Sequence, residues 1–162
     1  MIRKNYLLIF TLTLLVFAGQ SSAQGPSVSL EHVTDGTAGI VSGQGTTFTV
    51  RVSQTSVNDI PGISAAAGLN IDLAFDASAI SLTGTGGLLK ADNAGGATLT
   101  LISLPGQPLK VPPSVDLTFT TVADVTDMEF TIEITGVSST GIAIPLSVKL
   151  TFNASSGIQE PS

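Results

Sequence analysis

Few residues in this chain have the types and spacing to do chemistry. Nucleophilic catalysis needs a base held beside a nucleophile, and the one histidine, His32, follows Glu31 at the start of an apolar-alternating segment. That setting reads as a solvated or strand-face histidine. Glycoside hydrolysis needs two carboxyl groups across a cleft. Asp72 and Asp116 are expected on one sheet surface, and Glu129 and Glu133 on one face of a strand. Half-buried strands turn charged residues outward by default, so these read as solvated faces or as part of a recognition surface. Calcium needs several oxygen ligands from loops. Asp92-Asn93 in a glycine-rich stretch, and Asp124 with Asp127, are the candidates. Asp and Asn are also the residues that turns prefer. No catalytic residue, bound metal or cofactor is therefore expected, and the chain does not read as an enzyme.

Composition narrows the field further. There is no cysteine among the 162 residues, which removes disulfides, thiolate metal sites and cysteine nucleophiles. Arg3 and Lys4 precede an apolar run from Tyr6 to Phe17, and Ser21-Ser22-Ala23 supplies small side chains after it. A bilayer span needs about 18 apolar residues or more, so the run reads as a secretory signal, residues 1–23, cleaved after Ala23. A secreted, extracellular domain follows, with no membrane insertion after cleavage. It keeps four basic residues (Arg51, Lys90, Lys110, Lys149) against all twelve acidic ones, a formal charge of −8. Such a domain has no electrostatic attraction to nucleic acid. Its aromatics are Phe48, Phe75, Phe119, Phe130 and Phe152, each on the apolar face of an alternating segment. They are expected in the core. No tryptophan or tyrosine remains to stack on a sugar ring.

Several segments alternate with the period of two that a half-buried strand requires. Phe48, Val50 and Val52 alternate with Thr49, Arg51 and Ser53, and Leu69, Ile71, Leu73 and Phe75 with Asn70, Asp72 and Ala74. Further strands are expected at 28–33, 80–83, 98–102, 115–122, 128–135 and 146–152. In the strand at 128–135 Met128, Phe130, Ile132 and Ile134 face inward. The stretch 84–96 reads as a glycine-rich loop with a brief strand at Leu88-Leu89, and 136–141 as a turn followed by a short piece at 142–144. Pro105, Pro108, Pro112 and Pro113 make 104–114 a loop or a sheet edge. No helical spacing persists. Many short strands separated by turn signals predict one all-β, antiparallel β-sandwich or jelly roll over 24–153, with a flexible tail at 154–162.

The stretches GTTFTVRV, AAAGLNIDLAFDASAISLTG and VDLTFTTVADVTDMEFTIEITGVSS resemble the cohesin domain family over roughly 27–152. The resemblance implies a nine-stranded jelly roll with a non-catalytic role, binding a dockerin-type module in the assembly of polysaccharide-degrading or surface complexes. The calcium would be carried by the partner, since no dockerin-type loop occurs in this chain. Cohesins use one exposed sheet face that includes the third, fifth, sixth and eighth strands. Carried onto this chain, the protein-binding positions are Asn70 and Asp72, then Thr98 and Thr100, then Asp116, Thr118 and Thr120. Two other readings stand beside this one. One is a carbohydrate-binding module that takes polysaccharide directly, and the other is a structural surface subunit.

Overall fold

The computed structural model describes residues 26–33 and 41–153. The expected signal, the segment 34–40 and the expected tail lie outside the described residues. Nine strands make up the described chain: β1 (Ser27–His32), β2 (Thr47–Thr55), β3 (Gly68–Phe75), β4 (Ile80–Gly84), β5 (Leu89–Asn93), β6 (Gly96–Ile102), β7 (Ser114–Thr121), β8 (Glu129–Ser139) and β9 (Ile142–Asn153). One three-residue turn of 3-10 helix, Val57–Asp59, interrupts the β2–β3 connection. The strands form two antiparallel sheets, β1-β2-β7-β4 and β5-β6-β3-β8-β9. This is the expected cohesin-like β-sandwich.

The sheets pack because alternation gives each an apolar inner face. Phe48, Val50, Leu117 and Phe119 from one sheet meet Leu73, Phe75, Leu99, Ile132, Ile134 and Phe152 from the other, all buried. The five phenylalanines do lie in this core. Phe119 stacks on Phe48 at 5.7 Å between ring centroids and meets the edge of Phe75 at 5.5 Å, geometries that aromatic quadrupoles favour. A smaller cluster, Val57, Ile63, Leu69, Leu109, Val111 and Val137, closes one end of the sandwich. The proline-rich loop 104–113 is pinned there. Asn58 Nδ2 donates to the Val111 carbonyl at 3.0 Å, and the Val111 amide donates back to Asn58 Oδ1 at 2.9 Å.

Four expectations need correction. His32 does lie on a strand face, but the inner one, and is not solvated. It is buried edge-on against Phe152 and Phe48, at 5.4 and 6.0 Å, because β1 brings the last residue of its strand over the main core. Met128 is 44 % exposed: the positive φ of Asp127 turns the chain just before β8, so the inward series begins at Phe130. The stretch 89–93 is a strand paired with β6, not a loop. Residues 136–139 continue β8, and the piece at 142–144 is continuous with the last strand through Pro145. The register of β8 against β9 shifts at Gly136, opposite Pro145. A Cβ at Gly136 would lie 3.2 Å from the Ile144 carbonyl oxygen, so glycine permits the close approach that the bulge requires.

Candidate functional site

The register assigns each outward side chain its neighbours, because directly opposed residues of paired strands share a face. Across the five-stranded sheet, one row runs Leu89, Thr100, Asn70, Ser138 and Ala143. The next row runs Ala91, Thr98, Asp72, Gly136 and Pro145. These side chains are short, so the middle of the face is flat. They are also bonded to one another. Thr100 Oγ1 donates to Asn70 Oδ1, and Thr98 Oγ1 donates to Asp72 Oδ1, both at 2.8 Å. Thr135 Oγ1 donates to the Asp72 carbonyl at 3.3 Å.

Beyond these rows, β8 and β9 contribute an ionic cluster. Glu133 accepts from Ser147 Oγ at 2.8 Å and faces Lys149 Nζ at 3.4 Å. At the other side of the face, Leu89 is 58 % exposed and Ile102 59 % exposed. Ile102 has the same parity as Thr98 and Thr100 on β6, and Leu89 is opposite Thr100. The face therefore has a polar, hydroxyl-bearing centre and an apolar border along β5 and β6.

The structure brings together Asn70, Asp72, Thr98 and Thr100 and separates them from Asp116, Thr118 and Thr120. The latter three lie on β7, in the opposite sheet. The cause is β5. Alternation marks no more than a brief piece at Leu88-Leu89 there, so the expected pattern counts 98–102 and 115–122 as its fifth and sixth strands. With β5 present, the third, fifth, sixth and eighth strands are 68–75, 89–93, 96–102 and 129–139, all in one sheet. Asp72 and Asp116 accordingly do not share a surface.

The opposite face has its own order. Arg51 holds Asp116 through two parallel bonds, Nε to Oδ1 at 2.7 Å and the second guanidinium nitrogen to Oδ2 at 2.9 Å. That hydrogen bonding holds the Asp116 carboxyl below, and the Arg51 guanidinium above, their ordinary ranges. Glu31 lies 3.8 Å from the same guanidinium. Thr120 Oγ1 lies within hydrogen-bond reach of Thr47 and Thr83 Oγ1, at 3.3 and 3.1 Å.

Among the remaining candidates Asp92, Asn93 and Asp124 are held by bonds. Asp92 pairs with Lys90 at 2.9 Å. Asp124 accepts from the amide and hydroxyl of Thr126, closing a turn. No group of three or more His, Cys, Asp or Glu side chains gathers as for a metal among the described residues. No helix among them is long and apolar enough to cross a membrane.

This architecture has a counterpart among solved structures. It is similar to a cohesin module from a family 33 glycoside hydrolase of Clostridium perfringens ATCC13124, with a TM-score of 0.52 over 78 % of this chain and 95 % of that one. The fold is cohesin-like. At 12 % sequence identity the likeness is one of fold alone. A conjugative transposon lipoprotein from Bacteroides eggerthii DSM 20697 matches with a TM-score of 0.35 and 15 % identity, over 78 % of this chain and 94 % of that one. No family model matches the sequence, and no curated protein matches it.

Two contributors to the face escaped sequence reasoning. Ile102 was within reach, since it continues the outward parity of Thr98 and Thr100. Leu89 was not, because LKADN has no apolar period.

Proposed function

We propose that the chain is a non-catalytic recognition module, acting outside the cytoplasm, whose five-stranded sheet docks a helix of a dockerin-type partner that carries its own calcium. The observation that carries this reading is the flat face on β5, β6, β3 and β8, with short polar side chains at its centre and Leu89 and Ile102 at its border. A helix surface of about 10 Å diameter can lie across the centre of such a sheet without meeting a bulky side chain. Asn70 and Asp72 would accept its polar groups while Leu89 and Ile102 take an apolar residue. The cohesin-like fold supports the reading. Complexes of this class assemble polysaccharide-degrading or surface proteins, and we place the chain in such an assembly as an adaptor.

The test is titration calorimetry against a panel of dockerin modules, with calcium and then with a chelator. Binding should appear only with calcium. The double variant Asn70→Ala/Asp72→Ala and the single variant Ile102→Asp should each weaken it at least about tenfold, or about 1.4 kcal/mol. Asp116→Ala/Thr118→Ala, on the opposite sheet, should leave it unchanged. Full affinity in the first two variants, or loss in the third, would move the site elsewhere.

A further inference from the structure

The two sheets meet differently along their two sides. On one, the edges β1 and β9 come into contact. On the other, the edges β4 and β5 stand apart and leave a cleft of about 240 Å³ with Phe75, Ile80 and Leu82 at its base and Ser81, Lys90 and Asp92 at its mouth. Lys90 lies opposite the buried Leu99 in the ladder, so its stem runs along the inner side of β5. Its ammonium donates across the cleft to the Leu82 carbonyl at 3.0 Å and pairs with Asp92 Oδ1 at 2.9 Å. An ammonium has three N–H donors and a carboxylate two oxygens. One Lys90 donor and Asp92 Oδ2 therefore remain without a partner among the described residues.

A donor and an acceptor thus stand side by side at the mouth of the cleft. Their charges cancel, so the pair selects neither ion type: a phosphate would face the Asp92 carboxylate, and an amine would face the Lys90 ammonium. Its complement is a neutral molecule with a hydroxyl that donates next to one that accepts. Hydrogen bonds to charged groups are roughly twice as strong as neutral ones, and Ala77, with the small accessible part of Phe75, offers one apolar contact to the C–H face of a ring. We propose that the β4–β5 cleft binds a single sugar ring, or a cyclic polyol of that size, through two hydroxyls on neighbouring carbons. The volume lies below the roughly 300–1,000 Å³ of drug-sized sites, which fits one ring and not a chain of them. The cleft is separate from the docking face, and this proposal does not depend on that reading.

The experiment is a nitrogen-15 NMR titration of the whole protein with methyl β-D-glucopyranoside, with the fully O-methylated glycoside as control. Saturable shifts are expected at the amides of Ser81, Leu82, Lys90 and Asp92, with a Kd of the order of millimolar, as befits two hydrogen bonds and one apolar contact. The methylated probe should not bind. Asp92→Ala should weaken binding at least about tenfold, and Lys90→Gln by a similar factor. Should Lys90→Gln disturb the β4–β5 bridge, Asp92→Ala still decides, because the Asp92 side chain bonds to Lys90 and to no residue of β4. Shifts that grow without saturating, shifts at Asn70 and Thr100 instead, binding of the methylated probe, or unchanged affinity in Asp92→Ala would each overturn the proposal.

Discussion

Phe119 is the side chain on which the two sheets converge. It is fully buried, its ring meets Phe48 from the neighbouring strand and Phe75 from the opposite sheet, and no small residue can fill that space. Phe119→Ala should cost about 3–5 kcal/mol, read as a lower urea midpoint at unchanged slope. Smaller effects belong to the turn carboxylates. Asp76 is held below the ordinary carboxylate range by hydrogen bonds from Ser78, and Asp124 by those from Thr126. Each folded carboxyl binds its proton more weakly than in the unfolded chain. Its contribution is therefore complete above the unfolded value of about 4 and is lost as the pH falls through the depressed folded value. The thermal midpoint should be level near neutrality and decline below about pH 4. Asp124→Asn should shallow that decline by lowering the neutral plateau while leaving the acid end nearly in place, and an unchanged profile would show that the turn contributes nothing.

At the scale of the element, the β4 and β5 edges show how an open side is kept from pairing with other chains. Edge strands that offer free backbone groups invite association, and an inward-pointing charge is a known deterrent. Lys90 serves in this way, with its ammonium on the β4 carbonyl at Leu82. Replacing it with valine keeps the strand propensity and removes the charge. Lys90→Val should give concentration-dependent oligomers by light scattering where the parent chain gives none. The elements also mark the limits of the sequence as a guide. Strands with one buried face, β2, β3, β7 and β8, announced themselves by alternation, since burial imposes the period. β5 did not, because every residue in it is exposed and it exists through its ladder with β6. The same holds for β8 and β9, where Gly136 and Pro145 read as turn residues but form a bulge inside a long hairpin. Of the candidate site, the β3 and β6 positions were legible by parity. Which sheet β7 belonged to was not, because strand order is a tertiary property that no local period encodes.

At the scale of the whole molecule, the sandwich has a main core between the sheets and a second cluster that closes one end under two irregular segments. Those segments depend on a side chain acting as a backbone. Asn58 both donates to and accepts from Val111, and Gln54 Nε2 donates to the Pro112 carbonyl at 3.1 Å. Asn58→Ala would leave a part-buried amide and carbonyl without those partners, at about 1–3 kcal/mol. Hydrogen exchange should then quicken at Leu109 and Val111 while β3 and β8 keep their protection. Uniform quickening across both sheets would mean that the end cluster and the main core open as one unit. Between them lies a small, partly open apolar pocket of about 40 Å³, bordered by Val57, Val115 and Leu69.

The paired side chains on β3 and β6 carry a consequence for the manner of any encounter at that face. Asn70 and Asp72 are already tethered by Thr100 and Thr98, so their rotational freedom is given up when the chain folds and not when a partner arrives. Immobilising a polar side chain at an interface costs about 0.5–1.5 kcal/mol, and here that loss precedes contact. Docking on this face would be a meeting of rigid bodies, its speed set by diffusion and orientation and not by the reshaping of the surface.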